Sequence, residues 1–427
     1  ALLSTCWLAM AGMDGSEWED KRFPMFTMPL EIFLQMTHVQ EHEDLIDSKA
    51  LCEFEEDMGK TIFVSHQWIN KHHPDPKFQQ LRVLQTALKN LMAGTSKVSL
   101  PPAIEIACGR LKCPTSADFR SALFLFYDYF CCPQGNSSLA CHQRQLAIAC
   151  ISSYVARSFF FIILCPAVHH ADGHTLSYAS WETRGWCRME RMVRELARDD
   201  GFIITVQTAN NPTLAWNVNG VGKAPGSGEF SFEIDRVRVG QVILRIVWNK
   251  LQYSLANGEL HNYRFLLSLH HKHFEGVPGL HPIEGLVSGF HTEIDPADDP
   301  GGFLVARFLH DRMLRKVTDR DTLGWSPLCF AVVQGDAALV KALLDRKADA
   351  NDHLPLNKKE ANLRRKMSVL SLAAAYHNNE VVNILLAARA NVDGGGGRPG
   401  TALTPERWCD PPRRQVSGKG RAAGTAG

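Results

Sequence analysis

Two kinds of side chain in this sequence could do chemistry: thiols and imidazoles that could hold a metal, and single polar residues closing apolar runs. Cys108 with Cys113, the Cys131–Cys132 pair and the Cys141–His142 pair are the first metal ligands to weigh. Zinc takes four converging sulfur or nitrogen donors, usually from tight C-x-x-C or H-x-x-x-H pairs. None of these sets has that spacing, and the thiols lie among apolar residues, so they read as buried structural cysteines and no metal is expected. A metal-dependent hydrolase would need the ligands to meet at one point, which the spacing disfavours. His169, His170 and His174 sit in a polar stretch and read as loop histidines. Cys131 has no base within its motif to activate it as a nucleophile. GVGKAPGSG (220–228) lacks the spacing and the Ser or Thr of a phosphate-binding loop and reads as a flexible hairpin loop. Asn136-Ser137-Ser138 is a glycosylation sequon, without consequence in a cytosolic chain.

The polar residues at the ends of apolar runs are more informative. Ser65 and His66 close TIFVSH, Asp128 closes FLFYD, and Glu190 lies within GWCRMERMVREL (185–196). On that last segment Met189, Met192, Val193 and Leu196 make an apolar stripe, with Glu190 at its edge in line with Trp186 and Val193. Arg194 follows Glu190 by four residues, the spacing of a solvated helix pair contributing roughly 0.2–0.5 kcal/mol. A scaffold would leave Glu190 exposed in that pair. An enzyme would place it on the floor of a cleft with Ser65, His66 or the Asp128 loop opposite, its carboxyl perturbed by burial. His72 and Asp75, in INKHHPDPKF, are candidates for the same pocket.

The elements that must position these residues alternate. TIFVS (61–65), 123–129, 159–164 and 202–206 read as strands, and 78–91, 144–156 and 186–198 as helices. Strand–helix alternation argues for a parallel sheet covered by helices. The stretch 212–320 is a connecting region of uncertain fold, with a strand or helix near 237–248 and a histidine-bearing helix near 265–273. Residues 1–57 are set apart as an N-terminal extension. Its start, ALLSTCWLAMAG, lacks a basic segment and an initial Met, and reads as the continuation of a longer chain.

The order of these motifs resembles the TIR domain over 58–211. FVSHQW is similar to the opening TIR strand, and FLFYDYFCCPQG to the second strand and its loop, with Asp128 in the acidic position. The latter also resembles the W-I-D-x-x-C-I-N-Q stretch of fungal heterokaryon-incompatibility domains. RQLAIACISSYVARSFFFIILCP resembles the next helix and strand, and GWCRMERMVREL the W-C-x-x-E-L helix of plant-type TIR domains. The resemblance implies a flavodoxin-like α/β domain that self-associates or senses, or one that cleaves the nicotinamide–ribose bond of NAD. In the second case Glu190 is the key carboxylate with Trp186 packed beside it, and Ser65, His66 and Asp128 line the substrate site. NAD is then a substrate and no cofactor is required. Two stretches depart from the pattern: HHADGHTLSYASWETR (169–184) is longer than the usual loop and could displace the helix or form a lid, and INKHHPDPKF lacks the Arg-Gly-acidic loop.

The C-terminal part carries a repeat. GWSPLCFAVVQGDAALVKALLDRKADAN (324–351) matches KMSVLSLAAAYHNNEVVNILLAARANVD (366–393), with Ser368 standing 42 positions after Ser326. That is the ankyrin period of about 33 plus about nine extra residues, which fit the polar insertion LPLNKKEANLRRK. A third start places Thr401 in phase. Each repeat shows a Ser cap, an apolar face and small residues for stacking. The resemblance implies an all-α ankyrin-repeat solenoid over 321–410, two complete repeats and one partial, that binds a protein partner. Residues 303–317 are its candidate N-terminal cap and 411–427 a disordered tail.

Bulk numbers bound the rest. The 427 residues suggest two or three domains, and 45% hydrophobic with 21% charged residues is a globular balance. Lys and Arg total 46 against 45 Asp and Glu, so nothing steers the chain to nucleic acid or anionic lipid. No apolar run is long enough to span a bilayer, and 12 scattered cysteines fit a reducing, cytoplasmic compartment.

Overall fold

Stacked phenylalanines set the register of the sheet that carries the site. The computed structural model describes residues 23–392, apart from 103, 106–110, 198–200, 216–221, 359–360 and 362. The strands among them are β1 Phe26–Pro29, β2 Cys52–Glu53, β3 Lys60–His66, β4 Leu123–Phe126, β5 Phe160–Leu164, β6 Val168–His169, β7 Thr175–Leu176, β8 Phe202–Val206 and β9 Thr213–Leu214. The larger helices are α1 Gln79–Ala93, α2 Ser138–Ala156, α3 Gly185–Leu196, α4 Ile234–Ala256, α5 Leu260–His273 and α6 Pro300–Asp311. They are followed by α7 Pro327–Gln334, α8 Ala337–Asp345, α9 Val369–Ala375 and α10 Asn379–Ala387.

Strand order is β2-β1-β4-β3-β5-β8-β9, with β6–β7 a separate hairpin. The four central strands β4, β3, β5 and β8 are parallel. Phe63 pairs with Phe126 on one side and Phe161 on the other, and their rings stack at 5.1 and 5.6 Å. Such cross-strand contacts fix register, because a slip of one residue would turn every ring to the opposite face. Tyr154 of α2 covers that face through Phe126, and Phe119 covers the other through Phe160. Every residue of β5 is buried, as a strand with helices on both faces requires. An α/β region dominated by a parallel sheet, followed by a helical region, is the arrangement expected at the coarsest level.

The sheet reaches further than its expected limits. β1 and β2 lie in the 1–57 stretch set apart as an extension, yet β1 pairs antiparallel with β4 (Met28 opposite Leu125) and β2 with β1. An uncovered edge of β4 would leave a row of unpaired backbone groups. Beyond position 211, β9 closes the opposite edge against β8. The uncertain stretch 237–248 lies inside α4, which packs on α3. GVGKAPGSG is no open hairpin in its described part: Pro225 and Gly226 are buried, and a Cβ on Gly226 would come within 2.6 Å of the Glu275 carbonyl oxygen.

α5 belongs to two cores. Tyr263 and Leu267 join the core under the sheet, while Phe265 and Leu269 join a second one with α6–α10. Two caps of the helical region are those read from the sequence. The Ser326 hydroxyl accepts from the Cys329 N–H ahead of Pro327, and Ser368 accepts from Ser371. Asp336 caps α8 through Leu339. Helices α7 and α8 pack on each other, as do α9 and α10, and α6 packs on α8. The candidate cap helix at 303–317 runs from 300 to 311, because Asp299 accepts from the Gly302 N–H ahead of it and Met313 takes a left-handed backbone (φ 51°). The insertion folds back as a narrow loop, Lys358 N–H to the Leu363 carbonyl at 2.8 Å, over buried Leu354 and Leu363. Thr401 and the 411–427 tail lie outside the described residues. Among the described residues no helix is long and apolar enough to cross a membrane.

Candidate functional site

The site assembles where β3 ends. Consecutive strand residues point to opposite faces, so Ser65 shares the face of Phe63, under α3, and His66 the face of Val64. Each therefore finds its own partners. On the α3 side, the Ser65 hydroxyl donates to Glu190 Oε2 at 2.5 Å. The Ser65 hydroxyl oxygen in turn accepts from the indole Nε1–H of Trp181 at 3.0 Å. Ser65 and Trp181 are fully buried. On the other side, His66 Nε2 meets Asp128 Oδ1 at 2.7 Å, and Trp68 Nε1–H donates to Asp128 Oδ2 at 3.3 Å. The His66 ring stacks on Tyr127 at 4.0 Å. The His66 side chain is 2% exposed and Asp128 39%, so the carboxylate of that pair is what solvent or a ligand meets first.

The electrostatics follow from this packing. Burial pushes the Glu190 carboxyl up to about 7; the Ser65 hydrogen bond opposes the shift, Asp128's charge adds to it, and His66 opposes it. Burial also works against a charged His66, but the charge and hydrogen bond of Asp128, with Glu190's charge, outweigh it and raise the ring above its ordinary value. Asp128, which burial would raise, is instead held below its usual range by His66 and Trp68. A half-buried carboxyl poised near neutrality beside an imidazole–carboxylate pair is the arrangement expected of a working site. Two buried polar atoms here have no partner, His66 Nδ1 and the Tyr127 hydroxyl.

Of the residues singled out in the sequence, Ser65, His66, Asp128 and Glu190 come together. Trp186 does not join them through its polar atom: its indole N–H donates to Asp235 Oδ2 at 3.2 Å. The tryptophan that enters the site is Trp181, supplied by the long stretch 169–184. That stretch forms the β6–β7 hairpin and a one-turn helix, Tyr178–Trp181. The solvated Glu190–Arg194 pair gives way as well. Arg194 is buried and donates to the Ser158 carbonyl at 2.6 Å. Asp75 accepts from the Gln79 and Leu81 N–H groups at the start of α1, and His72 is exposed.

Comparison with family models, with curated proteins and with solved structures found no match.

The geometry alone therefore characterises the site. The central strands run second-first-third-fourth in chain order across β4-β3-β5-β8. In open parallel sheets of this kind ligands bind beyond the carboxyl ends of strands, where the order reverses; Ser65 and His66 end the strand at that place, and Asp128 follows the neighbouring β4. Among the described residues no cluster of three His, Cys, Asp or Glu could hold an ion. Cys131 and Cys132 are buried thiols pushed upward by desolvation, and Cys141 Sγ lies 4.0 Å from the Gly135 carbonyl. Cys108 lies outside the described residues.

Proposed function

We propose that the α/β region is a TIR-like, flavodoxin-like domain that hydrolyses the nicotinamide–ribose bond of NAD, and that the helical region is an ankyrin-repeat segment holding a protein partner. The observation that carries the enzymatic reading is Glu190, 2.5 Å from Ser65 at the end of the central strand with its carboxyl raised to about 7. The resemblance of FVSHQW, FLFYDYFCCPQG and GWCRMERMVREL to TIR motifs gives that carboxylate a substrate class.

In this reading the C1′–N1 bond breaks and its electron pair leaves with neutral nicotinamide. The ribose carries a developing oxocarbenium charge, and the Glu190 carboxylate stabilises it. Water then bonds to C1′ and gives up a proton, leaving ADP-ribose. Asp128, the accessible member of its pair, meets the ribose hydroxyls, and His66 holds Asp128 in place. Support for partner binding comes from the capped helix pairs α7–α8 and α9–α10, whose exposed loops are free to vary around a fixed frame. Neither role calls for a cofactor, and the scattered thiols suit a cytoplasmic setting.

Nicotinamide release from NAD by the purified chain, measured at several protein concentrations, tests the enzymatic reading. Release by the wild type and its loss in Glu190→Ala are expected. A folded wild type that releases none at any concentration leaves the protein as a scaffold, with the TIR-like domain used for self-association.

A further inference from the structure

We propose that Trp181 is a positioning residue that acts through Ser65: its indole N–H fixes the direction of the Ser65 hydroxyl, making Ser65 a standing donor to Glu190. The proposal rests on the reading of Glu190 as the working carboxylate, and goes beyond it by giving the long 169–184 stretch a part in the site.

The direction of the relay follows from which groups can donate. An indole N–H only donates, whereas a serine hydroxyl holds one proton and two lone pairs. With Trp181 Nε1 at 3.0 Å, one lone pair of Ser65 Oγ is occupied. The serine proton must point elsewhere, and of its two other neighbours, the Cys187 thiol and Glu190 Oε2 at 2.5 Å, the carboxylate is the stronger acceptor. Trp181 and Ser65 are 0% and 1% exposed, so solvent does not reorient the hydroxyl. The Trp181 ring is itself held. It stacks on Tyr178 at 5.9 Å, and Ser180 of the same one-turn helix donates to Gln67 Oε1 at 2.8 Å, tying this stretch to the residue after β3.

A hydrogen bond donated to a carboxylate favours its ionised form, against the burial that raises it. Removing the indole N–H frees the hydroxyl to turn, and Glu190 should then hold its proton to higher pH. The other groups facing Glu190 are His66 on β3, Asp128 after β4 and the Cys187 thiol on its own helix. All three stay in place in the variants below.

The test follows the Glu190 carboxyl directly, by carbon-13 NMR of protein labelled at the glutamate carboxyl, with Glu190→Gln identifying the resonance. Trp181→Phe should move the titration midpoint upward by about half a pH unit or more, the change expected from one weakened hydrogen bond. Ser65→Ala should move it at least as far, and Trp181→Phe added to Ser65→Ala should add nothing. If the Phe variant fails to fold, the benzothienyl analogue of tryptophan at position 181 keeps the ring shape without the N–H and serves instead. A midpoint unchanged in the Trp181 variant, or an equal shift when Ser65 is already absent, overturns the proposal. Nicotinamide release is read on the same samples. A shifted titration without any wild-type release sinks the functional reading and leaves the relay standing; release with no shift does the reverse.

Discussion

The molecule contains two buried histidines, each paired with an aspartate at nearly equal length, one at the sheet end and one where the two cores meet. His66 Nε2 is 2.7 Å from Asp128, and His261 Nδ1 is 2.6 Å from Asp321. Each histidine keeps one buried ring nitrogen without a partner. The difference lies in the carboxylates. Asp321 is fully enclosed and also accepts from the backbone N–H groups of Leu323 and Trp325. Those bonds lock the turn before α7 onto α5, so the pair joins the cores. Asp128 instead keeps 39% of its side chain exposed beside Glu190. Identical residue types thus make a structural joint in one place and a candidate site in the other, and what separates them is access and the next neighbour.

That contrast can be broken in several ways. The largest effect on stability is expected at the joint. Asp321→Ala strands His261 and two backbone donors in the interior and should cost about 3–5 kcal/mol by chemical denaturation; a loss below about 1 kcal/mol would remove the structural assignment. The pH dependence should agree. Burial would raise the Asp321 carboxyl, but His261 and the backbone donors hold it below its ordinary value. Its stabilisation is therefore present above the unfolded carboxylate value and lost as pH falls through the folded one. Asp321→Asn should flatten that acid limb. At the sheet end the pattern reverses: Asp128→Ala should lower nicotinamide release about 10- to 100-fold while costing about 1 kcal/mol of stability. A larger stability loss than at Asp321 would make both pairs structural. The smallest effect separates ordinary caps from both: Ser137→Ala, which removes the acceptor for the Ala140 N–H at 3.1 Å, should cost about 1 kcal/mol and leave release unchanged.

Much of the α/β region was legible from local pattern. The β-branched and aromatic runs predict the central strands to within a few residues at their ends, and β8 spans 202–206 as expected. The convergence of Ser65, His66 and Asp128 is legible for the same reason, since parallel strands bring their ends together. The α7 and α9 caps were legible because Ser-Pro and Ser followed by an apolar helix are local signals. Contacts between distant positions were not. β1 is read as extension because four residues carry no sign of the β4 edge that needs covering. Trp181 is missed because its hydrogen bond spans 116 residues. The one available signal was a tryptophan in an otherwise polar loop. The Glu190–Arg194 pair fails because helix spacing says nothing of the carbonyl oxygens at Ser158 and Ala156 that claim the guanidinium.

The most direct test of the central claim is a paired measurement on Glu190→Gln: nicotinamide release, and unfolding free energy across pH. Burial raises the Glu190 carboxyl from 4.5 to about 7, so the folded chain holds that proton more tightly than the unfolded one. Its contribution to stability is full below the unfolded value and falls as pH rises to about 7. The variant should therefore gain on the wild type by roughly 3 kcal/mol between pH 4 and pH 8, while releasing no nicotinamide. Stability bought back as activity disappears would mark Glu190 as a residue kept for chemistry. Unchanged release, or a wild type whose stability relative to the variant does not vary with pH, would contradict the account.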